Sequence, residues 1–215
     1  MLRDLLKPLV ELPDRSRYQG GVRFFFRCEH LHYLANEFFD LVDNRSPEVN
    51  AIADIGGFNT VEPLQAPELQ EWMFQQIKPV LEKDQVKFKG SCIALMYYPD
   101  YIKSNLHIHR ESLRLINDSP YNYTFYWNTN KSTVNFNIIE HRTTYEEIVQ
   151  YNLINYSTTE TCQEFSKDKT MTVNVLEHGD YIKFNATTTI HGATPNWDDD
   201  SIGLFLVLSG CRNEL

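Results

Sequence analysis

The segment Asn105-Leu106-His107-Ile108-His109-Arg110-Glu111 holds three side chains that bind divalent metals. Side chains alternate across an extended segment, so His107, His109 and Glu111 project to one side if this stretch is a strand. Two imidazoles and one carboxylate suit a first-row transition metal and leave coordination positions open for reactants. The segment needs a further ligand from elsewhere, and His191 in Thr189-Ile190-His191-Gly192-Ala193 is the candidate. Two ligand sets, and a site without metal, stay open. One is His109, Glu111 and His191; the other is His107, His109 and His191. Alternation lets all four groups reach one mouth, so spacing does not choose between them.

The elements needed to position this cluster can be read from periodicity. Met1 to Val10 has leucines at 2, 5, 6 and 9 with charges between them and predicts an amphipathic helix that packs on the protein. Val22 to Arg27 reads as a strand, Leu31 to Val42 as a helix, and residues 48–66 as loop with one short strand. Pro67 to Glu82 is the best helix, with Trp72, Met73, Gln76, Ile77, Val80 and Leu81 as its buried stripe and Pro79 expected to kink or shorten it. From Val86 onward the texture is β. Strands are expected at Phe88 to Tyr98, Leu106 to Ile116, Tyr121 to Trp127, Val134 to Ile139, Met171 to Leu176, Tyr181 to Phe184, Thr187 to Ile190 and Gly203 to Leu208. A short helix is expected at Tyr145 to Tyr151 and a polar loop at Ser157 to Lys169. The expectation is a mainly β (α+β) single domain over 1–215: a helical N-terminal support, 1–85, and a double-stranded β-helix or jelly roll, 86–210, with the helices packed on one sheet.

Three segments resemble the Fe(II)/2-oxoglutarate-dependent oxygenase superfamily. Leu95-Met96-Tyr97-Tyr98-Pro99-Asp100, running on to His107 or His109, is similar to the strand that enters that family's His-x-Asp/Glu motif. Arg114-Leu115-Ile116-Asn117 followed by Tyr123-Thr124-Phe125-Tyr126 is similar to the next strands, above all in the aspartyl/asparaginyl hydroxylase-like branch. Glu177-His178-Gly179-Asp180 through Asn185, then His191-Gly192-Ala193-Thr194-Pro195-Asn196, resembles the segment carrying the distal histidine. The resemblance spans roughly residues 86–210 and implies Fe(II) held by His109, Glu111 (or His107) and His191, with 2-oxoglutarate as cosubstrate. It departs from the family at the basic residue that usually follows the last histidine: here the chain reads Asp198-Asp199-Asp200-Ser201-Ile202-Gly203. A carboxylate is best gripped by a guanidinium. Arg114 is the substitute implied by the hydroxylase-like branch, with Asn117 and Tyr126 completing the cosubstrate contacts.

Composition bounds the alternatives. A net charge of −9 argues against non-specific nucleic-acid binding, and no apolar run approaches membrane-spanning length. Cys28, Cys92, Cys162 and Cys211 form no CxxC pair and read as buried free thiols of a cytoplasmic protein. His30 and His32 read as helix-entry or surface histidines, and His141 and His178 as surface imidazoles. Glu146-Glu147 read as the solvated face of a helix, and Tyr121, Tyr123, Phe125 and Trp127 as core or barrel lining. Gly56-Gly57 has no following Lys and makes no phosphate cradle. Three functions follow: an oxygenase acting on a small molecule or peptide, a non-catalytic jelly-roll binding or assembly protein (a viral one among the options), or a three-histidine cupin-type metalloenzyme without cosubstrate.

Overall fold

The computed structural model describes residues 1–10, 23–39, 62–88, 92–97, 120–151, 159–186, 188–196 and 200–213. These are mostly β, in antiparallel sheets, with few helices. The larger sheet runs β2 (Glu62–Pro63), β1 (Arg23–Arg27), β4 (Cys92–Tyr97), β10 (Gly203–Asn213), β5 (Tyr121–Asn128), β8 (Tyr181–Asn185), with β3 (Val86–Phe88) also on β10. Only β1 and β2 pair in parallel. The smaller sheet runs β7 (Met171–Leu176), β6 (Val134–Glu140), β9 (Thr189–Pro195). The chain crosses between the sheets after β5, β7, β8 and β9, so successive strands face each other across an inter-sheet core.

Three helices, α1 (Leu2–Val10), α2 (Glu29–Phe39) and α3 (Pro67–Lys83), share a core with one face of the larger sheet. Leu2, Leu6 and Leu9 are the buried stripe of α1. In α3, Pro67 sits in the first turn, where its fixed φ is already helical. Pro79 does not end this helix, which continues to Lys83. The N-terminal third also supplies β1 and β2, so it extends the sheet as well as supporting it. Tyr123, Phe125 and Trp127 face this helical core rather than a barrel interior, and Trp127 meets Trp72 edge-on at 5.3 Å.

The opposite face of the larger sheet looks at the smaller one. Leu95, Tyr97, Tyr126, Phe184 and Phe205 meet Val134, Phe136, Ile138, Leu176 and Ala193 there. A third cluster, Ile139, Ile190 and Phe165, lies under α5 (Thr159–Ser166). That helix falls inside the stretch expected to be a polar loop; Phe165 is its buried anchor. Strand β9 runs to Pro195 rather than ending at Ile190, which puts His191 inside a strand. The expected strand Leu106 to Ile116 lies outside the described residues.

One side chain ties α3 to α2 and to the residue that follows β2. Gln70, buried on α3, accepts from the Leu31 backbone N–H at 2.9 Å and donates to the Leu64 carbonyl at 2.7 Å. Replacing it with an apolar isostere orphans two buried backbone groups. Gln70→Leu is expected to lower unfolding free energy by about 2 to 4 kcal/mol. Urea denaturation measures this, and a loss under about 1 kcal/mol would contradict the bracket's role.

Candidate functional site

Position on the inter-sheet core is a matter of parity. In β9, His191 and Ala193 point inward, and His191 is the register partner of Ile138 on β6. Its ring is buried, 4.4 Å from Phe184 and 5.7 Å from Phe136. Phe184 belongs to β8 on the opposite sheet, so the imidazole is held where the two sheets meet. The Phe136 and Phe184 rings restrict its rotation and keep bulk water from the imidazole.

Beside Phe184 on the larger sheet are groups that sequence reasoning passed over. Asn122 and Thr124 alternate with the outward Tyr121, Tyr123 and Phe125, and both are buried. Asn122 is the register partner of Phe184, the residue packed on His191. Its Nδ2 has no hydrogen-bond partner among the described residues, and neither does Oγ1 of buried Thr189 on β9. An unmet buried amide costs about 1–3 kcal/mol, so such groups call for a partner that the described residues do not supply. The available signal was the alternation itself: polar Asn and Thr between aromatics on one strand.

Tyr126, expected as a cosubstrate contact, is fully buried, and its hydroxyl donates to the Ser132 carbonyl at 2.6 Å. Its ring packs on Phe205 at 5.0 Å, and Phe205 in turn meets Tyr97 at 5.2 Å. His107, His109, Glu111, Arg114 and Asn117 lie outside the described residues. Among the described residues no three of His, Cys, Asp and Glu gather as a metal site, so His191 can be one ligand and the others must come from elsewhere. Among the described side chains of β4 to β10 no Lys or Arg joins the inter-sheet core, and β10 presents Phe205 and Val207 there. Asp200, from the acidic run, sits exposed in a turn, its carboxylate accepting from Asn130 and lying 3.7 Å from Arg3. The residues present therefore fit one histidine of a metal site, and they fit a dianionic cosubstrate only if a cation such as Arg114 reaches in.

Two other described histidines are partly enclosed by the fold. His178, half-buried, takes the Asn128 backbone N–H on Nδ1 at 3.0 Å, in a turn where Gly179 adopts φ +97° and donates to the Tyr126 carbonyl. His32 is also half-buried, and burial lowers its pKa. Cys28, Cys92 and Cys211 are buried free thiols, and burial pushes Cys92 and Cys211 up, leaving them unreactive. No described helix is long and apolar enough to cross a membrane.

His141 and Glu147 form a pair at 2.9 Å rather than lying loose on the surface. Glu147 closes a capping box with Thr144 at the start of α4 (Tyr145–Gln150), and the Lys169 ammonium is 3.7 Å away.

No protein-family model matches the chain, and no curated protein does. Among solved structures, the chain is similar to EctD from S. alaskensis, crystallised with 2-oxoglutarate and 5-hydroxyectoine, at 13% identity and TM-score 0.38 over 94% of this chain and 77% of that one. It is similar to an oxalate oxidase at 9% identity and TM-score 0.30, where it covers 56% of this chain and spans only 41% of that structure's length. It is also similar to Drosophila melanogaster CENP-C bound to CAL1 at 8% identity and TM-score 0.29, over 66% of this chain and 98% of that one. Likeness this distant assigns no activity.

Burial works to raise the Glu147 carboxyl, but the Thr144 N–H, the His141 imidazole and the Lys169 ammonium outweigh it and hold the group below its ordinary value of 4.5. A carboxyl depressed by folding stabilises the folded state above its unfolded value and loses that contribution as pH falls through the folded one. The Tm gap between the wild-type chain and Glu147→Gln is expected to be full above pH 4.5 and to close on further acidification. A gap independent of pH in thermal melts would refute the assignment.

Proposed function

We propose that the chain is an Fe(II)- and 2-oxoglutarate-dependent oxygenase built on a double-stranded β-helix. The observation that carries the reading is His191: inward on a strand, walled by Phe136 and Phe184, where the two sheets converge. The strand order supports it. Strands β4, β10, β5 and β8 face β7, β6 and β9, with the chain alternating between them in the manner of a jelly roll. Among the described residues β9 pairs with β6 alone, so one of its edges is open to a further strand. The segment 106–116, with its own period-two pattern, fits that edge, and in it the odd-numbered His107, His109 and Glu111 share a face. Paired beside β9, that face would lie next to His191.

In this reading His191 holds the metal together with His109 and Glu111, or with His107 and His109. Fe(II) with 2-oxoglutarate would supply dioxygen activation and hydroxylation of a C–H bond. The chain's own contribution is to restrict the His191 ring, to exclude water through the Phe136 and Phe184 walls, and to leave coordination positions open. Asn122 and Thr124 offer neutral donors to a bound carboxylate, and Arg114 is the cation that would balance its charge. Residues 48–66 and 140–170 would select a small-molecule or peptide substrate, as variable connections do in other folds.

A second reading has an observation in its favour. The inward face of β10 is apolar, and the Tyr97, Phe205 and Tyr126 rings pack against one another where a cosubstrate cation would be useful. That suits a jelly-roll binding or assembly module without turnover. A three-histidine metalloenzyme would keep the metal and ignore 2-oxoglutarate.

Anaerobic titration with Fe(II) and then 2-oxoglutarate separates the three. The oxygenase reading expects a weak visible charge-transfer band and, once dioxygen is admitted, iron-dependent conversion of 2-oxoglutarate to succinate and carbon dioxide. Metal uptake without the band selects the three-histidine enzyme; neither selects the binding module. His191→Ala is expected to abolish Fe(II) binding with an unchanged circular dichroism spectrum, and unchanged iron stoichiometry would reject the site. Glu111→Ala and His107→Ala then distinguish the two ligand sets by which one loses the metal. Asn122→Leu is expected to keep Fe(II) while weakening 2-oxoglutarate about tenfold, the size of one hydrogen bond to a charged group. Equal cosubstrate affinity in that variant would remove Asn122 from the pocket.

A further inference from the structure

The exposed apolar side chains are not scattered. Of the eight large hydrophobics that stand exposed among the described residues, Met171, Val173 and Val175 lie on β7 and Tyr145 and Val149 on α4. Helix α4 and the start of β7 are tied together through Glu147 and Lys169. On β7, Leu176 turns into the inter-sheet core, which leaves the odd-numbered Met171, Val173 and Val175 on the outer face.

Strand β7 is also a sheet edge: among the described residues it pairs with β6 alone. Because hydrogen-bonding direction alternates along an antiparallel strand, about half of its residues turn N–H and C=O away from β6. Soluble proteins protect such edges with charge, proline or shortness. Edges of the larger sheet do so: β2 is two residues long and includes Pro63, and β8 carries Lys183. The sequence Met-Thr-Val-Asn-Val-Leu of β7 has no charge and no proline.

We propose that β7 pairs antiparallel with β7 of a second copy of this chain, across a two-fold axis at Val173, joining the two smaller sheets into one. The pattern is self-complementary, as an isologous contact requires. With Val173 opposite Val173 of the second copy, Met171 falls opposite Val175 of the second copy, all on the outer face. Lys169 precedes the strand and Glu177 follows it, so antiparallel pairing brings the cationic end of each strand toward the anionic end of the other, with the Lys169 ammonium also bonded to the Phe165 carbonyl. Parallel pairing would instead bring like charges together. Charge and apolar pattern thus select one orientation and one register.

Sedimentation velocity on the full chain tests this, with a reversible monomer–dimer equilibrium expected. Val173→Lys places two ammonium groups at the axis and is expected to give a monomer. Since Val173 is 47% exposed, its circular dichroism and Tm should match the wild-type chain. Glu177→Lys is expected to weaken the dimer without abolishing it. Directly opposed Cβ atoms in an antiparallel pair lie about 4.5–5.5 Å apart. Val173→Cys should therefore form a disulfide-linked dimer with oxidised glutathione, two thiols being oxidised as one glutathione disulfide is reduced to two thiols. Thr172→Cys, on the opposite face, should not. A chain that stays monomeric at the highest concentrations sedimentation can follow overturns the proposal and leaves the edge to another polypeptide. A dimer indifferent to Val173→Lys overturns it as well.

Discussion

Burial on both faces of the larger sheet is the constraint on which the structure depends. Every residue of β5 from Asn122 to Asn128 is buried. Odd positions are taken by the helical layer and even positions by the facing sheet. A slip of one residue would drive Asn122, Thr124 and Asn128 into the helical core and expel Tyr123, Phe125 and Trp127 from it. Polar burial at the even positions is tolerable where hydrogen bonds exist. Asn128 Oδ1 accepts from the backbone N–H groups of Asn130 and Ser132, which fixes the turn after β5. The same parity, carried through β8 and β9, aims Phe184 and His191 at each other.

That dependence explains what could be read from the residues and what could not. Met171–Leu176 and the strands at 121–128 and 134–140 follow from β-branched and aromatic runs bounded by turn residues. The amphipathic first helix follows from leucine spacing. Helix α5 was hidden because six of its eight residues are polar and only Phe165 anchors it. Strand β9 was cut short at Ile190 because His191-Gly192 looks like a strand's end. Tertiary pairing with β6 carries the strand through both residues. Of the candidate site, the described residues place only His191 and Tyr126, both inside the inter-sheet core, whereas Asn122 and Thr124 are recognisable as inward only from the register of β5. His141 and Glu147 looked like independent surface groups because their contact depends on a capping box that turns Glu147 back over the helix start.

Charge balance is the decisive matter for the site's chemistry. A dianion moved into an apolar inter-sheet space without a counter-charge loses several kcal/mol of solvation per charge, more than neutral donors such as Asn122 and Thr124 can return. A transition metal would neutralise part of that charge, and a guanidinium most of the rest. The described interior offers neither a Lys nor an Arg, so cosubstrate binding reduces to whether the stretch holding Arg114 joins the open edge of β9. The metal question reduces to the same stretch, since His107, His109 and Glu111 lie on it. The two are separable by parity: on a regular strand even-numbered Arg114 lies on the face opposite His107, His109 and Glu111, so it would turn inward only past a bulge between Glu111 and Arg114.

The two edges of the smaller sheet are opposite in character, and this separates ligand chemistry from assembly. The β9 edge lies beside a buried imidazole and two aromatic rings, so a strand added there closes an interior. The β7 edge lies beside exposed Val173 and Val175, so a strand added there extends a surface. Backbone hydrogen bonds would be gained equally at either edge, and side chains make the difference. A histidine-bearing segment of the same chain suits the first edge, because its ligands gain from enclosure. An uncharged, self-complementary strand suits the second, because pairing there removes apolar surface from water without burying a charge.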